Sequence, residues 1–256
     1  MRKFLAVVTV VAACLFVVPQ ADAASGHRHA PLRLVGSRTN AEYSVNWSGY
    51  AIPAKAGQHI TAVSGSWIVP LIRNLPPGYS SSWIGVGGYG TSDLIQTGTA
   101  SSGKLERSHA WVEMLPDVEA PITSGCSGDA SCTVSQGDRI SASVTNTVGN
   151  TWVVTMTDMG RWSWSKTLTY ASTLSSAEWV FEAPQVGYLG LGLQTIPANA
   201  PHAKFLGGGS YRVNGVDHWL AGSGAQRVLM LTATPSFLGS DGHFTVCAYK
   251  TSCRNF

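Results

Sequence analysis

After Val18 the chain lacks any long apolar run, which excludes a membrane-spanning helix beyond that point, since a span needs ~20 apolar residues. Charge is also scarce. Of 256 residues, 17 are Lys or Arg and 14 are Asp or Glu, a near balance that argues against nucleic acid or an anionic membrane surface as partner. No window keeps an apolar 3.6-residue period for three turns, so no helical core is expected. No internal repeat is visible. The usual hydrolase and nucleotide signatures are missing as well: there is no G-x-S-x-G elbow, no H-E-x-x-H, no Walker loop, no G-x-G-x-x-G opening a helix and no Asp-Thr-Gly. These absences exclude the familiar serine, zinc and phosphate-binding solutions.

What is present begins with a secretory signal. Arg2 and Lys3 precede an apolar run from Phe4 to Val18, followed by Pro19 and the small-residue triplet Ala21-Asp22-Ala23, and cleavage is expected after Ala23. Val11-Ala12-Ala13-Cys14 has the shape of a lipoprotein box, but Leu15 to Val18 continues the apolar run, so lipidation is not expected. Without Arg2, Lys3 and Asp22 the 17 basic and 14 acidic residues become 15 and 13, a charge of about +2. The mature product is expected to be extracellular, away from the membrane and monomeric. Residues 24–42 form a basic leader, with His27, Arg28, His29, Arg33 and Arg38 against the single acid Glu42. Its plain reading is a disordered leader; the sharper one is a short pro-segment that covers an acidic site until removed.

Without Cys14 four cysteines remain, an even set suited to an oxidising compartment. Both neighbouring pairs are spaced C-x5-C, so Cys126–Cys132 and Cys247–Cys253 are the expected disulfides, although spacing alone leaves the other two connectivities open. No matching His pattern supports zinc, and a nucleophilic cysteine is disfavoured.

From Tyr43 onward, short β-branched and aromatic runs recur between Gly, Pro, Asn and Ser punctuation. Expected strands include Tyr43–Ala51, Ala62–Val69, Ser81–Val86, Leu94–Gly98, His109–Leu115, Arg139–Thr145, Thr151–Asp158, Ser163–Tyr170, Glu178–Glu182, Gln226–Ala233 and Phe244–Tyr249. Strands at this spacing mean one all-β sandwich or barrel over residues 43–256. Pro70–Gly78 and Pro197–Pro201 read as loops. In a sandwich the outer face of a sheet is open to water. A curved face bearing Leu94, Gln96, Gly98, Trp111, Glu113 and Leu115 would make a groove for an extended polymer.

The stretch Ala177–Pro184 carries two carboxylates. Alternation puts Glu178, Val180 and Glu182 on one face and Ala177, Trp179 and Phe181 on the other. The two acids lie roughly 13 Å apart along a strand, too far to act as one acid/base pair, so one needs a partner from elsewhere. The seven histidines show no ligand spacing apart from His27 and His29 in the leader, and each is expected to be structural or solvated. Carboxylate and amide chemistry remains. A partly desolvated carboxylate activates water or protonates a leaving group, and a side-chain amide stabilises an oxyanion without titrating.

Seven motifs occur in an order that resembles the glutamic peptidases, or eqolisins. They are Asn46-Trp47-Ser48-Gly49, Val63–Pro70, Trp83–Gly88, Leu94-Ile95-Gln96-Thr97-Gly98, Trp111–Asp117, Gly137–Ile140 and Ala177–Pro184, and together they span roughly residues 43 to 250. The resemblance implies two packed, bent antiparallel sheets, a β-sandwich of the concanavalin-like or jelly-roll type with a concave groove. It implies an acid endopeptidase of unfolded polypeptides that uses neither metal nor cofactor. Its catalytic glutamine corresponds to Gln96 and its catalytic glutamate to Glu182, with Trp47, Trp83 and Glu113 lining the groove. Glu178 is expected to be an exposed or salt-bridged strand acid. Two departures bear on activity: fungal members have Asp at the position of Gly87 and a Tyr-rich run at Met114-Leu115. They are also more acidic, and the near-neutral charge here suits milder acid, ~pH 3–5. Two other readings compete. A silent peptide- or cell-wall-binding module would keep Gln96 and Glu182 without turnover, and a glycan hydrolase would use Glu113 and Glu182 with tryptophan platforms. Asn46-Trp47-Ser48 also fits a glycosylation acceptor, but within its motif it reads as structural.

Overall fold

The structure is a computed structural model in which residues 27–38, 41–73, 78–103, 107–188 and 191–255 are described. The expected signal peptide, the possible lipidation cysteine Cys14 and the first leader residues lie outside them. Among the described residues every regular element is a strand. In chain order these are β1 (His27–Arg28), β2 (Leu34–Arg38), β3 (Ala41–Ser44), β4 (Trp47–Pro53), β5 (Ile60–Ile68), β6 (Tyr79–Gly87), β7 (Leu94–Ser102) and β8 (Arg107–Met114). There follow β9 (Ala120–Pro121), β10 (Ser127–Gly128), β11 (Arg139–Val148), β12 (Thr151–Asp158), β13 (Trp162–Thr169), β14 (Ser176–Glu182), β15 (Gln185–Tyr188) and β16 (Leu191–Gln194). The last are β17 (Ala203–Phe205), β18 (Ser210–Val213), β19 (Val216–Trp219), β20 (Gln226–Met230), β21 (Ala233–Pro235) and β22 (Phe244–Ala248).

Pairing sorts the strands into two layers. The first runs β2, β3, β20, β4, β14, β6, β7, β8, β9. The second runs β10, β13, β12, β11, β5, beyond which lie the β18–β19 hairpin and the β17–β22–β21 edge. Pairing is antiparallel except between β3 and β20. The expected all-β sandwich is therefore the observed fold. A small separate sheet ties the leader to the body through β1, β15 and β16.

Alternation explains why these residues make these strands. In β12, Trp152, Val154 and Met156 point inward and are buried, while the intervening Thr151, Val153, Thr155 and Thr157 are half-buried. In β14 both faces are buried. Trp179 and Phe181 enter the core between the layers with Trp67, Ile84, Val144 and Trp152. Val180 instead joins Trp47, Trp83, Leu94, Trp111 and Leu115 in a second apolar cluster on the other face of the first layer. This second face is the groove.

Most expected strands are found, with two instructive differences. The expected strand Tyr43–Ala51 is broken at Val45-Asn46, where the buried Asn46 side chain accepts from the Ser44 hydroxyl and from the Arg33 amide. Asn46 is thus structural, as its motif suggested. The leader strand β2 has no alternating pattern and all five residues are exposed; it exists because its backbone pairs with β3. Both expected disulfides, Cys126–Cys132 and Cys247–Cys253, are formed, each closing a short loop.

Gly98 fixes the floor of the groove. It sits between Trp83 on β6 and Trp111 on β8, and a Cβ there would lie 2.5 Å from Trp83 Cβ and 2.8 Å from Trp111 Cζ2. Gly98→Ala is expected to lower stability by about 1–3 kcal/mol through overpacking, read as a lower denaturant midpoint at unchanged slope.

Candidate active site

Sheet register decides which side chains share the groove. Across β14, β6, β7 and β8 one row reads Glu178, Gly85, Gln96, Glu113; the next reads Val180, Trp83, Gly98, Trp111; the next Glu182, Ser81, Ala100, His109. Trp47 on β4 extends the Glu182 row. All share one face because successive rows are two residues apart. Gln96 and Glu182 are thus not cross-strand neighbours: they stand on either side of the Trp83–Trp111 row, with room between them for an extended chain.

That room is filled by the leader. His29 stacks on Trp111 with ring centroids 4.0 Å apart and planes 16° from parallel. Its Nδ1 lies 2.8 Å from Glu182 Oε2, its Nε2 lies 3.3 Å from Glu119 Oε2, and its backbone N–H donates to Glu113 Oε1 at 3.2 Å. The Ala30 N–H donates to Glu182 Oε1 at 3.2 Å, and Trp83 Nε1–H donates to Glu182 Oε2 at 2.8 Å. Gln96 Nε2 donates to Glu113 Oε2 at 2.7 Å, leaving Gln96 Oε1 buried without a hydrogen bond. Further along, Ala30 O accepts from Trp47 Nε1 at 2.9 Å and from Asn46 Nδ2 at 3.2 Å, and the Leu32 N–H donates to Gly88 O at 3.0 Å. His29, Gln96 and Glu182 are all 0% exposed.

The structure therefore brings together every expected site residue, Gln96, Glu182, Trp47, Trp83 and Glu113, on one face. It also corrects two expectations and narrows a third. Of the two readings of His29, structural or solvated, the solvated one falls: the leader carries the ring into the groove, where it is 0% exposed. The groove face is not open to water along this path, for the same reason. Glu178 is neither exposed nor salt-bridged: it is 0% exposed, its carboxyl oxygens make no regular hydrogen bond, and the nearby Ser176 hydroxyl offsets little of the burial cost.

Electrostatics follow from crowding three carboxylates around one imidazole. Burial alone lowers the pKa of His29, but the charges of Glu182 and Glu113 and hydrogen bonds to Glu119 and Glu182 outweigh it and push the value up to about 10. Glu113 is raised to about 8, chiefly by burial, with the His29 charge opposing and the neighbouring Glu182 adding to the rise. Burial also acts to raise Glu119, but hydrogen bonds from His109, His27 and His29 prevail and hold it well below the usual carboxylate range.

Glu119 was not singled out by the sequence, where it stands alone in a loop. In the fold it gathers His29, His109 at 2.8 Å and His27 at 3.4 Å. His27, His109 and Glu119 offer ligand atoms within 4.8 Å of one another, the one such grouping among the described residues, and shared hydrogen bonding to the carboxylate accounts for it. The only sequence hint was the His27-x-His29 alternation. The Gly87 departure has a backbone cause here. Gly87 has φ +95° and a Cβ would fall 2.6 Å from Asp93 O, so an aspartate at this position would be strained.

The fold is a two-layer sheet whose groove holds buried carboxylates and a buried amide, and no regular helix is present among the described residues. Residues 45–206 match the family model described as the Peptidase A4 family, and the chain belongs to that family, the glutamic endopeptidases or eqolisins. Solved structures agree on the fold. Scytalido-glutamic peptidase with a peptide-based transition-state analogue superposes with TM-score 0.65 at 22% identity, covering 80% of this chain and 98% of that one. SCP-B, an eqolisin in complex with the tripeptide Ala-Ile-His, gives 0.62 at 22% identity with the same coverage. No curated protein sequence matches the chain.

Glu178 generates a stability prediction. Its folded pKa is raised, so the folded chain keeps a proton that the unfolded chain releases, and its contribution to stability falls as pH rises past the ordinary carboxylate range. Glu178→Gln imitates the protonated form. Denaturant titrations should show little difference from wild type near pH 3 and a more stable variant at pH 7, the gap growing by up to ~1.4 kcal/mol per pH unit.

Proposed function

We propose that this chain is an exported acid endopeptidase of unfolded polypeptides in which Glu182 activates water and Gln96 stabilises the oxyanion. The observation that carries this reading is the leader itself. An extended polypeptide threads the groove: the Asn46 and Trp47 side chains donate to its carbonyls, its Leu32 N–H donates to Gly88 O, and it presents the Ala30 N–H to Glu182. A substrate laid along the same path would set a peptide nitrogen beside the carboxylate that must later protonate it. That eqolisin structures were solved with a peptide-based transition-state analogue and with the tripeptide Ala-Ile-His supports a peptide as the substrate.

The steps assign a role to each residue. Glu182 takes a proton from water as the oxygen attacks the carbonyl carbon, and then delivers that proton to the leaving nitrogen. Trp83 Nε1–H, donating to Glu182 at 2.8 Å, fixes the orientation of the carboxylate. Gln96 donates to the developing oxyanion from the opposite side of the Trp83–Trp111 row. Glu113 holds the Gln96 amide through a 2.7 Å hydrogen bond and so aims it. Trp47 and Trp83 line the path. Residues 1–23 are removed on export, and residues 24–42 act as a pro-segment of a monomeric enzyme.

Cleavage of an unfolded protein scanned from about pH 2 to 7 is expected in acid only and to resist chelators. Glu182→Gln should abolish it, and Gln96→Ala should lower kcat by about 10²–10³-fold, with each variant shown to be folded by a cooperative unfolding transition above the assay temperature. Full activity in the Glu182 variant would refute the assignment. A wild type that binds peptide without cleaving it at any pH would favour a silent binding module.

A further inference from the structure

The leader does more than cover the groove. Its backbone follows the path assigned to substrate, yet its central bond sits where water cannot reach it. Glu182 Oε1 accepts the Ala30 N–H, and Glu182 Oε2 accepts Trp83 Nε1–H and faces His29 Nδ1 at 2.8 Å. The imidazole lies flat on Trp111 and fills the space beside the carboxylate, which is 0% exposed. A general base must hold its water by hydrogen bonding. Here that position is occupied by a side chain.

We propose that residues His27–Arg33 form an autoinhibitory strap bound in the manner of a substrate, in which the His29 imidazole takes the place of the attacking water. The inference rests on the reading of Glu182 as the general base. The strap is anchored at both ends: His27 and Arg28 pair with Val186 and Gln185, and Leu34–Arg38 pairs with β3. Tethering makes its capture intramolecular, with an effective concentration of the order of mM, so modest contacts suffice to close the site. The inhibitor also protects itself. The His29–Ala30 bond lies against the catalytic carboxylate, but with the imidazole in place no water can be activated there. Glu119 completes the device by holding His29 Nε2 from outside the catalytic pair.

The test uses the full chain purified at neutral pH, followed in acid with a quenched fluorogenic peptide and by mass spectrometry of its N-terminus. Wild type should show a lag that ends as the leader is lost. His29→Ala should start without a lag, at an initial rate at least ten-fold higher. Val35→Ala, an exposed change in the same leader, should behave as wild type. Should His29→Ala fail to fold, a second measurement decides. A synthetic peptide of residues 27–36 should inhibit the acid-activated enzyme competitively, and its His29→Ala form should do so at least ten-fold more weakly. Equal initial rates in wild type and His29→Ala, or equal inhibition by the two peptides, would overturn the strap while leaving the peptidase intact. Absence of hydrolysis by wild type and every variant, including His29→Ala, would overturn the reading of the site and the strap with it.

Discussion

Three carboxylates packed around one imidazole are the constraint on which the functional half of this structure depends. Glu113, Glu119 and Glu182 are each buried, and buried charge is costly unless paired and hydrogen-bonded. The fold meets that cost in different ways at each. Glu119 is held by three histidines, Glu182 by an indole N–H, an amide N–H and the His29 ring, and Glu113 by the Gln96 amide and the His29 backbone N–H, with burial pushing its pKa up. Because His29 belongs to the leader, removing the leader leaves the same carboxylates facing water or substrate. A site that is electrostatically satisfied only when filled is a site prepared to bind.

The two apolar clusters explain why the arrangement is rigid. The core between the layers fixes β14 through Trp179 and Phe181, and the groove cluster fixes its opposite face through Val180. A strand buried on both faces has little freedom to shift Glu182. The two tryptophans that flank Gly98 form the bed on which the leader lies, and one of them also donates to the Glu182 carboxylate. Packing and chemistry thus share residues, so changes meant to alter one will be felt in the other.

Much of this was legible in the sequence because it depends on local pattern. Period-two alternation gives β12 and β14, the C-x5-C spacing favours the two disulfides that the structure then shows, and the ordered motifs around Trp47, Gln96 and Glu182 give the family. What escaped was whatever depends on distant backbone. β2 has no sequence pattern, since it is made by pairing alone. Glu119 has no flanking motif, and its three histidines come from positions 27, 29 and 109. Glu178 read as an ordinary strand acid, because alternation tells which face a residue is on but not what later covers that face.

The sequence by itself determined the class of fold through side-chain periodicity, and its ordered motifs determined the family and, through the resemblance, which residues to expect on the groove face. Only the tertiary structure decided that Gln96 and Glu182 stand on opposite sides of the Trp83–Trp111 row, and that a histidine from the leader lies between them. Both outcomes depend on strand register and on the return of an N-terminal segment across the sheet, long-range choices governed by total burial that no local window contains.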